Sequence, residues 1–232
     1  MHYLGGKARI AKRVTSFLNE VRGQDQPYWE PFVGAGWILA SVPGNTRYAS
    51  DFSLPLISMW KALQNGWVPP THVSEEEYAS AKLLPDTDPL KAFIGFGCSF
   101  SGKFFGGYAR DSTGRNYAMN AHNSIMKKYH KIGAGVQFFN ADFIACDPPQ
   151  KDMLIYCDPP YANTTGYSVG SFDHEAFWNK CMDLSCAGHT LVISEYSAPE
   201  SFRCILEMPT KTDLRVGGKK AQRIERLFMP RS

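Results

Sequence analysis

Apolar residues change their spacing along this chain, and the changes mark its elements. Ile10, Val14 and Leu18 recur every fourth position and predict a helix over residues 3 to 18. The run Tyr28-Trp29-Glu30-Pro31-Phe32-Val33 predicts a strand that enters a Gly34-Ala35-Gly36 turn, and Trp37 to Ala40 opens a helix after it. Arg47 to Ser50 is a short strand ending at Asp51, and Leu56, Ile57, Met59, Trp60 and Leu63 face one side of a helix over 54 to 66, stopped by Asn65-Gly66. Strand character resumes at Val136 to Ala141, followed by Asp142-Phe143. It returns in the apolar run 153 to 157, in Thr190 to Ser194 and in Ile224 to Met229. Helices are predicted over 173 to 187 and, shorter, around Glu200 to Leu206. Strands separated by helices define an α/β chain with an open, doubly wound sheet. Residues 67 to 135 lack this alternation and read as an insertion of helices and loops. The division is then 1–66 with 136–232 for the sheet, and 67–135 for the insert.

In such a sheet, ligands bind beyond the carboxyl ends of the strands. The run Met153 to Cys157 ends there in Asp158-Pro159-Pro160-Tyr161. The prolines fix φ and remove two NH donors, which holds the Asp158 carboxylate at a set angle beside free carbonyls and an aromatic face. A planar ring bearing an amino group suits that corner, stacked on Tyr161 with its hydrogens donated to Asp158 and the Pro159 carbonyl. A strand ending in a proline-rich turn gives the same four letters, and both readings stand on the tetrapeptide alone. Asp147-Pro148-Pro149 repeats three of them but precedes the apolar run and continues into Gln150, so it reads as a surface turn.

The glycine turn after the first strand adds a second element. Strand, glycine turn and helix form the nucleotide-binding arrangement, in which glycine lets the backbone approach a ligand. The third glycine of the dinucleotide fingerprint is absent. Asp51, at the end of the next strand, is placed to accept both hydroxyls of a ribose, so the pattern favours a nucleoside over a dinucleotide. Gly5-Gly6-Lys7 precedes the first helix and offers either an anion contact or an ordinary surface lysine. The polar loop Ala162 to Gly170 lies where it closes over a substrate.

Composition is that of an ordinary globular chain, 44% hydrophobic and 20% charged, with a net charge of +3. No run is apolar enough to span a bilayer, and Lys7, Arg9, Lys12 and Arg13 interrupt the N-terminus, so a cytoplasmic protein without a membrane partner is expected. The six cysteines contain no CxxC pair and no neighbouring histidines, which predicts reduced thiols and no metal. Charge is uneven. Between Cys98 and Gly135, Lys103, Arg110, Arg115, Lys127, Lys128 and Lys131 face a single acid, Asp111. Aromatics and glycines interleave with these cations from Gly95 to Arg110, a pattern that serves phosphates and bases. A solvated face and a structural aromatic cluster are the alternatives.

Taken in order, Gly5-Gly6-Lys7, Phe32-Val33-Gly34-Ala35-Gly36, Asp51, an insert, Asp142-Phe143 and Asp158 to Tyr161 resemble the Dam-type, alpha-group DNA adenine-N6 methyltransferases. The insert is more similar to that of phage-encoded relatives. The resemblance covers most of the chain and implies a Rossmann-like S-adenosylmethionine-dependent methyltransferase sheet carrying a target-recognition insert for double-stranded DNA. It implies Lys7 beside the cofactor carboxylate, Phe32, Gly34 and Gly36 under its methionine and ribose, Asp51 on the ribose hydroxyls, and Asp142 with Phe143 beside its adenine. A flipped-out adenine is implied at Asp158, Pro159, Pro160 and Tyr161, and the charge cluster itself puts the expected DNA contacts at Lys103, Arg110, Arg115, Lys127 and Lys128. Two departures stand out. Tyr3 replaces the tryptophan frequent before GGK, where a cofactor contact is implied, and the familiar Dam recognition hairpin is hardly visible. The same corner also suits cytosine N4 or an RNA adenine, and a non-catalytic DNA-binding module is the remaining alternative.

Overall fold

The computed structural model describes residues 6–161, 172–216 and 219–231, with the backbone alone at 211–223. Tyr3, Gly5 and the loop expected over 162 to 170 lie outside the described residues. The elements follow as α1 (Ala11–Val21), β1 (Tyr28–Glu30), β2 (Arg47–Asp51), α2 (Leu54–Gln64), α3 (Glu75–Ala81), α4 (Pro89–Gly97) and α5 (Tyr117–Ile132). After these come β3 (Val136–Asn140), β4 (Leu154–Cys157), α6 (His174–Cys186), β5 (Thr190–Glu195), β6 (Phe202–Val216) and β7 (Lys219–Pro230). The strands make one sheet in the order β3-β2-β1-β4-β5-β7-β6. The first five run parallel, and β7 enters antiparallel between β5 and β6. The chain leaves β1 toward β2 and β3, then returns to place β4 on the other flank. The topological switch therefore falls between β1 and β4.

Period-two alternation divides the buried side chains between the two faces of the sheet. Tyr28, Leu154 and Tyr156 point into one cluster with Leu18, Trp60, Phe93, Ile125 and Ile132. Trp29, Ile155 and Cys157 point into another with Phe143, Phe177, Cys181 and Leu191. Helices α2, α4 and α5 thus share a single core with the sheet, and residues 67–135 are built onto it by Phe93, Ile94, Ala121 and Ile125. Helix starts obey local chemistry. Ser74 and Glu77 form a reciprocal capping box on α3, while Asp88, Asn116 and Asp173 each accept a backbone NH at the start of α4, α5 and α6.

Three expectations change. The helix predicted from Trp37 is reduced to a single 3-10 turn at Leu39–Ser41, because Gly36 and the preceding residues are committed to a tight loop. The helix predicted around 200 to 206 is instead the start of β6. Phe202 and Met208 are buried in it, and a register shift between Cys204 and Leu206 hides the period-two pattern that would have announced a strand. The first helix begins at Ala11, with turns before it.

Candidate active site

The loop after β1 is fixed by its own backbone and by Asp51. Val33 N donates to Ser50 O at 3.0 Å, Gly34 N to Asp51 Oδ2 at 3.0 Å, and Gly36 N to Val33 O at 2.8 Å. Trp60 Nε1 donates to Gly34 O at 3.1 Å. Gly36 has φ +68, and a Cβ there would meet the Trp60 ring at 2.8 Å, so this turn admits only glycine. The other Asp51 oxygen accepts from Ser53 N at 3.0 Å. Burial pushes the Asp51 carboxyl up to about 6, against the two amides that favour its ionised form. Phe52 beside it is 59% exposed and Leu54 37%, an apolar shelf next to a carboxylate.

Beyond β4, Asp158 stands in a compact charged cluster. Lys7 Nζ lies 3.0 Å from Asp158 Oδ1 and 3.4 Å from Glu225 Oε2. It also donates to the Tyr161 hydroxyl and sits 4.1 Å over the Tyr161 ring. Tyr161 Oη donates to Glu225 Oε2 at 2.7 Å and lies 2.8 Å from Ser194 Oγ, while its ring meets Tyr196 edge-on. Burial raises the Asp158 carboxyl to about 6; Lys7 opposes this and Glu225 adds to it. Burial pulls the Lys7 ammonium down, but Asp158 and Glu225 outweigh it and hold it above its ordinary value.

Both features open on a single cavity of about 650 Å3. Its walls carry Lys7, Phe32, Gly34, Asp51, Lys103, Asp142, Phe143, Asp158 and Pro160 from the sequence reading. Phe143 is 3% exposed, its ring packed against Trp29, Phe32 and Phe177. Gly36, Pro159 and Tyr161 adjoin lining residues without lining the cavity themselves. Lys7 is directed into the Asp158 corner and not toward the Gly34 loop.

The expected DNA contacts divide. Lys103 and Lys127 are exposed. Arg110 is exposed but paired with Glu75, and Arg115 pairs with Asp111 at 3.4 Å. Lys128 corrects the sequence reading. It is 3% exposed, donates to Ala35 O and lies 4.5 Å over the Trp37 ring, so it braces the glycine loop from below and does not reach a DNA surface. Burial lowers its ammonium to about 7.

Four residues went unseen in the sequence. Glu30, 2% exposed, ends β1 in the cavity wall and accepts from Tyr28 Oη at 2.9 Å; an acid closing the first strand was its signal. Burial raises its carboxyl well above the ordinary range. Phe52 was legible as the residue after Asp51. Ser194 and Glu225 had no local signal, being brought in by strand pairing alone.

A carboxylate beyond the end of β4, opening on a cavity of about 650 Å3 at the switch point of a doubly wound sheet, stands where such sheets bind their ligands and marks this as an α/β binding or catalytic site. The sequence profile of the D12 class N6 adenine-specific DNA methyltransferases matches residues 3–84 and 98–195. The chain belongs to that family: an enzyme whose substrate is DNA and whose target is the N6 amino group of adenine. No curated protein matches the chain. Solved structures similar to it include the rRNA methyltransferase AviRa from Streptomyces viridochromogenes, at 15% identity over 98% of this chain and 86% of that one, TM-score 0.43. A glycopeptide N-methyltransferase, MtfA, complexed with S-adenosylmethionine aligns at 9% identity over 97% and 68% of the two chains, TM-score 0.36. A predicted N6-adenine-specific DNA methylase from Listeria monocytogenes aligns at 11% identity over 82% and 44%, TM-score 0.37. These likenesses are loose, and the family match carries the assignment.

Proposed function

We propose that the cavity holds S-adenosylmethionine and that Asp158, with the Pro159 carbonyl, receives the amino group of an adenine flipped out of double-stranded DNA. The observation that carries this reading is that Asp158 and Asp51 line one cavity, one carboxylate on each side of the β1–β4 switch point. The residues fit the cofactor. Asp51 offers a carboxylate already oriented by two amides, the Gly34 backbone allows close approach, and Phe52, Leu54 and Ile144 give an apolar seat for a purine. The sulfonium of S-adenosylmethionine, when bound, supplies an electrophilic methyl group.

An exocyclic amino nitrogen is a poor nucleophile because its lone pair is delocalised into the ring. Accepting both of its hydrogens at Asp158 and the Pro159 carbonyl turns that lone pair out of the ring plane and toward the cofactor. The work is positioning, for which no strongly basic group is required. Flipping the base costs a few kcal/mol, and stacking on an aromatic ring returns roughly 1–3 kcal/mol. Lys7 already covers a face of the Tyr161 ring, so Tyr161 shapes the corner, while Asp158 governs the rate. We assign residues 67–135 to target recognition, with Lys103 and Lys127 as the exposed cations that meet phosphates, and place the enzyme in the cytoplasm with its DNA. Among the described residues no cluster able to hold a metal ion is present, and no helix is long and apolar enough to cross a membrane.

The test is transfer from labelled S-adenosylmethionine to duplex DNA, with Asp158→Ala as the comparison. A loss of roughly a hundredfold or more in turnover is expected; parental turnover in the variant would contradict the role of Asp158.

A further inference from the structure

The Asp158 corner includes a residue from β7. We propose that Glu225, on β7, is a positioning residue for methyl transfer: it fixes the Tyr161 hydroxyl and the Lys7 ammonium, and through them the orientation and charge of Asp158. The proposal rests on the function assigned above and extends it to a part of the chain that the family profile, ending at residue 195, does not reach.

Three observations carry it. First, Glu225 Oε2 is shared, accepting from Tyr161 Oη at 2.7 Å and from Lys7 Nζ at 3.4 Å. One carboxylate oxygen thus ties the last residue of the tetrapeptide to the lysine that also contacts its first residue at 3.0 Å. Second, the prolines stiffen the backbone of Asp158 to Tyr161 but do not fix the rotamer of the tyrosine side chain. Its hydroxyl is pinned between β5, through Ser194 at 2.8 Å, and β7, through Glu225. Third, Lys7 stands between two carboxylates. With Asp158 alone it would form a closed pair; with Glu225 drawing on the same ammonium, Asp158 keeps acceptor capacity for an amino group. Burial of the three together makes each contact dependent on the others. The antiparallel insertion of β7 beside β5, with Ser194 opposite Leu227, is what brings Glu225 to this point.

The geometry distinguishes this role from simple structural support. Glu225 acts on the corner and not on the cofactor loop, so its removal is felt in turnover and not in cofactor affinity. The titratable groups facing the corner among the described residues include Lys7, Asp158, Tyr156, Cys157, Tyr161, Tyr196, Glu225 and, from β1, Glu30. Removing the Glu225 charge takes away one of the groups that disfavour ionisation of Asp158.

The experiment compares Glu225→Gln and Glu225→Ala with the parent in the full chain. It measures turnover of duplex DNA across pH, the dissociation constant for S-adenosylmethionine by calorimetry, and the thermal midpoint. Expected are a fall in kcat of roughly tenfold to a hundredfold in both variants, cofactor affinity within about twofold of the parent, and, in Glu225→Gln, an acid limb moved to lower pH. Parental kcat in both variants would overturn the proposal. So would a fall in kcat matched by equal losses of cofactor affinity and thermal midpoint, which would reduce Glu225 to structural support. A parent that binds the cofactor and leaves adenine unmethylated would overturn the functional reading and the proposal together, and is recognised before any variant is compared.

Discussion

At Asp158, activity and stability pull in opposite directions. Its ordinary value of 3.8 is raised to about 6 in the folded chain, so protonation favours the fold. The stability contributed by this group therefore grows as pH falls from above 6 to below about 4, while a function that needs the carboxylate is lost over the acid part of the same window. Two outcomes follow. The kcat/KM profile of the free enzyme should fall on its acid side near pH 6. Asp158→Asn should lower turnover by roughly a hundredfold or more with a thermal midpoint, measured at pH 8, no lower than the parent's. Lys128 works in the converse sense. Its folded value, lowered from 10.5 to about 7, means that charging it disfavours the fold, and that penalty grows as pH falls from about 10 to 7. Lys128→Met, which keeps the packing under Ala35 and Trp37, should gain in thermal midpoint relative to the parent across that window and hold the gain below pH 7. A gain independent of pH would contradict the buried ammonium.

At the level of elements, the insert is shaped by one helix and one loop. Phe104 and Phe105 fold back on α4, where a Cβ at Gly95 would collide with the Phe104 ring. Phe105 N donates to Gly95 O at 2.8 Å, Phe100 N to Gly107 O at 2.8 Å, and Tyr108 Oη to Val73 O at 2.7 Å. Ser101 and Phe105 hold positive φ of 56 and 48, a conformation that persists only because these contacts impose it. The loop brings Lys103 to the cavity wall. Gly95→Ala should cost about 1–3 kcal/mol, as overpacking does, read as a lower urea midpoint; a neutral effect would show that the loop is not anchored there. The aromatic and glycine pattern announces a special segment here, but not that its rings face inward onto α4. Sequence periodicity resolves a face only within regular elements, and this segment has none. In contrast, the tetrapeptide after β4 and the glycine turn after β1 are legible because strand ends and glycine turns are local. Glu225 and Ser194 are not, since their place is set by β7 pairing with β5, a contact across the chain that no window of sequence contains. The start of β6 reads as a helix for a related reason: the shift at Cys204 and Leu206 breaks the alternation, and pairing with β7 decides the outcome.

For the whole molecule, the placement of charge matters more than its sum. A net charge of +3 is small, and of the cations in the insert three, Lys91, Arg110 and Arg115, are paired with acids and one, Lys128, is buried. Of the five cations expected to meet DNA, Lys103 and Lys127 are the exposed ones outside these pairs, and our assignment of phosphate contacts rests on them. Replacing both with alanine should reduce the slope of log affinity for DNA against log salt by about two, near one unit for each phosphate no longer neutralised. Lys128→Met should leave that slope unchanged. A slope insensitive to Lys103 and Lys127 would move the DNA surface elsewhere. The sheet unites these features: the cavity lies at the switch point between β1 and β4, the crossover between β2 and β3 carries the segment we assign to target recognition, and the antiparallel β7 closes the charged corner. The measurement that tests this account most directly is mass spectrometry of nucleosides from duplex DNA incubated with the enzyme and S-adenosylmethionine bearing a deuterated methyl group. Label in N6-methyldeoxyadenosine, absent in an Asp158→Ala variant that still binds the cofactor, is the predicted result. Label confined to N4-methyldeoxycytidine, or undiminished in the variant, would contradict it.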